Sequence, residues 1–458
     1  MSVTENPMRR AALVLSLAAG LVGCGRPYRL IVLITVDTLR ADHVGAYGAT
    51  GLTPHLDHLA SESAVFDNAY APASLTLPSV AALMTSRYPE ELGIRGNLSA
   101  LPHVTTLASW LSNQGFVTGA VVSSHVLRQE SGMAAGFSRY DDSLHQHWPT
   151  RRSVPERIAI DTARAALSLL DALREERGRP IFLWVHFQDP HGPYTPPSGY
   201  RQRFMEEEAA RSDGKRELPV SGSPTGEGGI PSYQFVGGRR DPAFYRAGYK
   251  GEVQYMDEGI GHILDGLKVR GLIDQATLIF TADHGEGLGE DDYWFAHGER
   301  LHQSLVRVPL FLRVARRPPG RRSDVASLLD VFPTIASLLG GRPPENARGR
   351  DLLGRGAKRR SSVVYQSTLS ETHPKRRGLV AEGYQLLLVD GKGPNKRVSL
   401  YRLGVSEALT SPRESAETSR MAQQLAAIRD SFGMVAETKR AGQTPEALEK
   451  LKSMGYVR

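Results

Sequence analysis

Residues Leu30–Val36 read Leu-Ile-Val-Leu-Ile-Thr-Val and stop at an acid, Asp37. A run of this kind has no polar face, so it fits a strand covered on both sides of a sheet rather than one with a wet face. Similar runs recur at 116–122, Ile181–Phe187, 276–281 and 308–314, and stretches with helical spacing lie between them at 104–114, 158–174, 249–270 and 325–339. Alternation of these two patterns predicts an α/β sandwich, with a mostly parallel central sheet flanked by helices. The 458 residues suffice for one large domain and a smaller appendage. With 23% charged and 40% hydrophobic residues the chain is neither a disordered nor a membrane-filled one. Its formal charge of +7 is spread through scattered arginines and short groups such as Arg316-Arg317 and Arg376-Arg377, a solvated surface rather than a nucleic-acid footprint.

The ends of the chain carry their own signals. Arg9-Arg10 precedes an apolar run over 11–22 that is short for a membrane span and reads as a secretion signal. It leads into Leu21-Val22-Gly23-Cys24, which resembles the lipobox of bacterial lipoproteins, and Cys24 is the single cysteine. Lipidation of Cys24 accounts both for a lone thiol in an exported protein and for the lack of a disulfide framework. The expected plan is a signal peptide over 1–23, a catalytic domain over 24–375 and a small subdomain over 376–458, the protein being anchored by lipid in the bacterial cell envelope. Within the catalytic domain, 206–240 is polar and rich in Gly, Ser and Pro, which reads as a surface insertion that selects substrate or stays disordered. Past Arg376, short extended runs at 378–380, 385–389 and 398–403 predict an antiparallel sheet, followed by a terminal helix over 445–454.

Ligand sites of open α/β sheets form beyond the carboxyl ends of the strands. Asp37 closes the first strand and Asp283-His284-Gly285-Glu286 follows the strand over 276–281, so both can turn ligands for a divalent cation into one crevice. A cation there would stabilise the charge that builds on an ester during cleavage. A third segment runs from Ala73 to Pro89 and sets small hydroxyl residues and Pro78 against the start of a helix. Thr76 would lie where helix N–H groups hold an oxyanion and a metal activates its hydroxyl. Taken singly, Asp37 also reads as a helix cap, Asp283-His284 as a turn, and Thr76 or Ser79 as a cap of that helix.

Taken together the segments resemble the sulfatases of the alkaline phosphatase superfamily, nearly end to end. The resemblance is carried by Val36-Asp37-Thr38-Leu39-Arg40, Thr53-Pro54-His55, Thr76-Leu77-Pro78-Ser79 with Arg87-Tyr88-Pro89, and Asp189-Pro190-His191-Gly192-Pro193-Tyr194. It continues through Tyr249-Lys250-Gly251-Glu252, Thr281-Ala282-Asp283-His284-Gly285-Glu286, Ala296-His297-Gly298, Arg307-Val308-Pro309-Leu310 and the closing Leu451-Lys452-Ser453-Met454-Gly455-Tyr456-Val457. It implies an alkaline-phosphatase-like sandwich in which Asp37, Asp283 and His284 bind one divalent metal ion (Ca, Mn or Zn) and Thr76 holds the nucleophile position. His191 would hold an ester oxygen and His297 would protonate the leaving group.

The chain also departs from that pattern. Sulfatases usually carry Cys or Ser where Thr76 stands and convert it to formylglycine; threonine cannot be converted, so no formylglycine is expected. Val80 replaces the motif's arginine, Thr38 stands where many sulfatases have a second metal-binding aspartate, and the lysine and histidine often found near 119–122 are missing. Contacts to substrate oxygens then fall to Arg95 or Asn97. The reading is a sulfatase-like, metal-dependent hydrolase of sulfuric esters. Its alternatives are a phosphodiesterase, phosphonate ester hydrolase or phosphotransferase using Thr76, and a non-catalytic binding lipoprotein.

Overall fold

A computed structural model describes residues 29–144, 156–222, 225–354, 362–366, 376–389, 397–403 and 412–432. The signal segment, Cys24 and the helix expected over 445–454 lie outside the described residues. The central sheet has eight strands: β1 (Leu30–Val36), β2 (Ala64–Tyr70), β3 (Val117–Val122), β4 (Arg139–Asp141), β5 (Ile181–Phe187), β6 (Ala276–Ala282), β7 (Leu310–Arg313) and β8 (Gly320–Ser327). Their order is β8-β2-β7-β6-β1-β5-β3-β4. Only β7 runs against its neighbours, so the sheet is mixed but mostly parallel.

All seven residues of β1 are buried, as are those of β5 and β6 on either side. Each fully buried aliphatic side chain contributes roughly 1.5–3 kcal/mol, and both faces of these strands collect that gain. Helices flank the sheet. The helices α1 (Pro54–Ser61), α2 (Thr76–Thr85), α3 (Leu107–Asn113), α4 (Ala159–Arg174), α5 (Gln202–Ala209), α6 (Pro242–Val269) and α7 (Val331–Leu338) follow the chain. The first, fourth and sixth pack together, and α2 packs with α3 and α7. Where α6 crosses α4 the backbones nearly touch: a Cβ on Gly259 would lie 2.9 Å from both Ala159 Cβ and its carbonyl oxygen.

A second sheet orders β9 (Ser362–Gln366), β10 (Arg376–Ala381), β11 (Tyr384–Val389) and β12 (Arg397–Arg402) antiparallel. It takes its first strand from upstream of position 376. The helix α8 (Pro412–Asp430) lies against it, and Leu379, Leu386, Leu400, Met421 and Leu425 close a small core on Ala82 and Tyr88. The appendage therefore braces the far end of α2, the helix that opens with Thr76.

Several expectations change. The helix expected over 325–339 begins only at Val331, because Val325, Ala326 and Ser327 continue β8 alongside β2 and Ser327 then turns the chain by accepting from Leu329 N–H. The helix expected over 249–270 starts earlier, at Pro242, where Asp241 Oδ1 accepts the Phe244 N–H at 3.0 Å. The insertion over 206–240 is neither a plain surface loop nor disordered where it is described: Leu218, Ile230 and Gln234 are buried.

One buried acid ties two helices together. Asp257 of α6 accepts the N–H groups of His55 and Leu56 at the start of α1, at 3.0 and 2.9 Å. Burial pushes its carboxyl up to about 7. A folded-state value above the unfolded one stabilises the fold fully below the unfolded value, near 4, and that contribution is lost as pH rises through about 7. Thermal melts between pH 4 and 8 are therefore expected to show falling stability in the wild type, and Asp257→Asn, at a cost of roughly 1 kcal/mol for a weakened cap, should flatten that part of the slope.

Candidate active site

Register decides which residues meet. Val36 pairs with Phe187 on one side and Ala282 on the other, so the residues that follow all three strands emerge level. Asp37 N–H donates to Phe187 O and Asp283 N–H to Val36 O, both at 3.0 Å, which continues the ladder one step and sets the two aspartates side by side. The chain then turns at Thr38 with φ 56, a left-handed backbone that is costly for a β-branched residue. Tyr249 O–H donates to Thr38 O at 2.8 Å, and Thr38 N–H donates to Asp283 Oδ1 at 3.2 Å, holding that turn.

Thr76 is the first residue of α2 and is fully buried. Its hydroxyl does not cap the helix. Oγ1 lies 3.4 Å from both carboxylate oxygens of Asp37 and 3.4 Å from His284 Nε2. His284 Nε2 is in turn 3.7 Å from Asp37 Oδ1 and 3.8 Å from Asp283 Oδ2. These separations are long for hydrogen bonds. They match ligand atoms arranged around a divalent cation about 2.0–2.5 Å from each.

The far sides of these groups are fixed. Asp283 Oδ1 accepts from Thr38 N–H and from His284 N–H, the latter at 2.7 Å, while its Oδ2 is buried with no partner. His284 Nδ1 lies 2.8 Å from Gly285 O, and a carbonyl only accepts, so the proton sits on Nδ1 and the Nε2 lone pair faces the acids. Burial, with His297 beside it, drives His284 down to about 3 and keeps it neutral. Gly285 is required because a Cβ there would fall 1.9 Å from Ser304 O. Burial and the Asp37 charge raise the Asp283 carboxyl well above the usual range. Burial alone would raise Asp37 too, yet the His191, His186 and His284 rings around it hold it below that range. Two buried acids this close need a cation for both to ionise.

Two further histidines line the same space. His297 Nδ1 is 3.2 Å from Glu286 Oε1, whose other oxygen accepts from Tyr194 O–H at 2.9 Å; the buried Nε2 has no partner. His191 Nδ1 donates to Gly192 O at 2.7 Å, and burial lowers its basicity. The His297 ring centroid lies 5.0 Å from that of His191 and 4.6 Å from that of His284. Asp37, Thr76, His191, Asp283, His284 and His297 thus surround one water-poor space.

The remaining expected residues differ. Arg95 is exposed on its loop, whereas Asn97 is buried and accepts the Leu77 N–H with Oδ1 at 3.0 Å. That bond corrects one expectation: the Leu77 N–H at the helix start is taken and is not open to an anion. It also orients the amide so that Nδ2, buried and without a partner, becomes the open donor. Three residues were missed. His186 in β5 offers a ring nitrogen within 4.8 Å of carboxylate oxygens of Asp37 and Asp283, a group able to hold a metal ion, and its signal was a single histidine in an apolar strand. Ser124 Oγ lies 3.4 Å from Asp37 Oδ2, and Glu286 stood in a recognised motif without a role.

The sandwich is that of the alkaline phosphatase superfamily. The chain belongs to its sulfatase family of sulfuric ester hydrolases, whose model matches residues 29–341. It is 24% identical over 402 residues to human iduronate 2-sulfatase, covering 69% of each chain. It is 25% identical over 377 residues to the arylsulfatase of Clostridium perfringens, covering 70% of this chain and 77% of that one. The phosphonate monoester hydrolase of Silicibacter pomeroyi has the same fold, with a TM-score of 0.71 at 18% identity over 90% of this chain and 100% of that one.

Carboxylate repulsion has a measurable consequence. Asp283→Asn keeps the Oδ1 acceptor for Thr38 and His284 and, unlike the carboxyl, needs no proton taken up on folding when the cation is absent. In the presence of a chelator the variant should be more stable than the wild type by roughly 1–3 kcal/mol, and added Mn(II) or Zn(II) should raise the melting temperature of the wild type only.

Proposed function

We propose that this protein is a metal-dependent hydrolase of sulfuric esters in which Thr76 is the nucleophile. The observation that carries the reading is the Thr76 hydroxyl, equidistant at 3.4 Å from both Asp37 oxygens and His284 Nε2. Asp37, Asp283 and His284 would hold one divalent ion, which polarises the ester and lowers the pKa of a hydroxyl beside it. A neutral imidazole in the set favours Mn or Zn over Ca, which prefers an all-oxygen shell. Asn97 Nδ2 would donate to a non-bridging ester oxygen, and His191, whose Nδ1 proton is committed to Gly192 O, would do so through Nε2 in the imidazolium form that the ester's negative charge favours. Thr76 Oγ, its proton lost to solvent when the ion binds, would attack sulfur as the S–O bond to the alcohol breaks. The alcohol would take a proton from Nε2 of the His297 imidazolium, whose Nδ1 Glu286 holds. A water that returns a proton to Nε2 would then attack the threonine sulfate and release the sulfate.

The same threonine supports a second reading. A formylglycine hydrate expels sulfate by collapsing to an aldehyde, a route closed to a threonine sulfate ester. A threonine phosphate ester is released instead by in-line attack of water with metal assistance. Phosphate diesters and phosphonate esters are therefore the competing substrates, and transfer to another alcohol the competing outcome. The envelope location rests on the lipobox at Cys24, and Cys24→Ser should move the protein from the membrane fraction to the soluble fraction of cells expressing it.

Brief exposure of the purified chain to an aryl sulfate and to an aryl phosphate diester, followed by mass mapping, decides among these readings. Label on Thr76 identifies nucleophile and transferred group together; no turnover of either ester returns the protein to a binding role. Thr76→Ala should cost roughly 10³-fold or more in kcat. His297→Asn should cost roughly 10²–10⁴-fold with alkyl esters and much less with nitrophenyl esters, whose leaving group needs no proton; equal losses on both would remove His297 from the acid role.

A further inference from the structure

His186 and His284 both face Asp37, and proximity alone would enrol both as metal ligands. Their hydrogen bonds separate them. His186 Nδ1 lies 2.8 Å from Thr35 Oγ1, which also receives the Trp184 indole N–H at 2.9 Å. All three side chains are fully buried, and Thr35 Oγ1 has no other partner. An indole N–H only donates, so the Thr35 oxygen accepts from Trp184 and the hydroxyl proton has one acceptor left, His186 Nδ1. A neutral ring that accepts at Nδ1 carries its proton on Nε2. That N–H is directed at Asp37 Oδ2, 3.8 Å away, the same oxygen approached by Ser124 Oγ at 3.4 Å. The opposite tautomer would strand a buried hydroxyl proton and set a lone pair against a carboxylate. His284 has the reverse arrangement, with its proton on Nδ1 toward Gly285 O and its lone pair toward the acids.

We infer that His186 is a positioning residue and not a metal ligand: the buried relay Trp184–Thr35–His186 fixes an Nε2–H that faces Asp37 Oδ2 at 3.8 Å, too long for a hydrogen bond but near enough for its dipole to favour that oxygen, and so keeps Oδ1 turned toward His284 Nε2. Partners of this kind fix the orientation of a ligand and raise metal affinity without touching the ion. The relay joins β1 and β5, since Thr35 and His186 are directly paired in the ladder. Sheet register thereby sets the carboxylate's rotation as well as its position.

The inference rests on the metal site proposed above, and one experiment separates the two. Zn(II) affinity is measured by competition titration on the full chain, and histidine coordination by X-ray absorption. His186→Gln keeps an N–H donor near the Nε2 position; His186→Phe keeps the ring volume but not the donor. The glutamine variant should bind Zn(II) within about threefold of the wild type, and the phenylalanine variant roughly 10–100-fold more weakly. Neither should change the number of imidazoles on the metal, whereas His284→Gln should remove one. Thr35→Val, which deletes the relay's hydroxyl and leaves His186 in place, should weaken binding in the same direction and serves if the phenylalanine variant does not fold. An imidazole lost in His186→Gln, or wild-type affinity in both His186→Phe and Thr35→Val, overturns the assignment. Absence of Zn(II) uptake by the wild type overturns the metal site itself and this role with it.

Discussion

Two backbone hydrogen bonds set the whole site: Asp37 N–H to Phe187 O and Asp283 N–H to Val36 O. They extend the β5–β1–β6 ladder one residue past the strands, and thereby place two carboxylates in adjacent rows. A register shift of one residue would turn either aspartate to the other face of the sheet. Burial of both faces of these strands makes such a slip prohibitive, because the entire apolar row would move with it. The hydrophobic core thus positions charged groups that it would not otherwise tolerate.

Around that pair, each polar atom facing the centre has its opposite side held elsewhere. Asp283 is pinned by backbone N–H groups, His284 by a carbonyl, His297 by Glu286, and Asn97 by the start of α2. None of these anchors is within the reacting space. The orphaned atoms, Asp283 Oδ2, His297 Nε2 and Asn97 Nδ2, are the ones left to meet a cation or an ester. Burying them unsatisfied costs stability, and the surrounding α/β core and the braced helix α2 sustain that cost.

How much of this could be read beforehand depended on the kind of signal. The strands β1 and β5 were legible to the residue, because burial on both faces leaves an unbroken apolar run ended by polar residues. β2 and β8 were not: Asp67 and Asn68 interrupt the first, and arginines crowd the second, an edge strand. The segment 325–339 misled because Val325, Leu328, Leu329 and Phe332 satisfy a helical spacing across a strand end and a turn. Asp37, Asp283 and His284 stood at strand ends, where position itself is informative. His186 sat mid-strand, and nothing local distinguishes a relay histidine from one merely satisfied in the core; only Thr35, distant in sequence and on the neighbouring strand, joins it and Trp184 into a relay. Arg95 drew attention by its charge, but Asn97, two residues on, is the side chain turned inward.

The burial of the site also fixes a balance of charge. With the proposed divalent cation in place, Asp37 and Asp283 would carry two negative charges that it cancels, and His284 is neutral. Arg40, the nearby guanidinium, is committed to Asp42 and Glu290. Val80 and Thr38 stand where the family often adds an arginine and an acid. Every further negative charge brought in must therefore be borne in a space with little water to screen it. A sulfate monoester, a phosphate diester and a phosphonate monoester each bring one; a phosphate monoester at neutral pH brings nearly two. On the proposed function, the pocket would match esters of a single negative charge, whichever of sulfur or phosphorus lies at their centre.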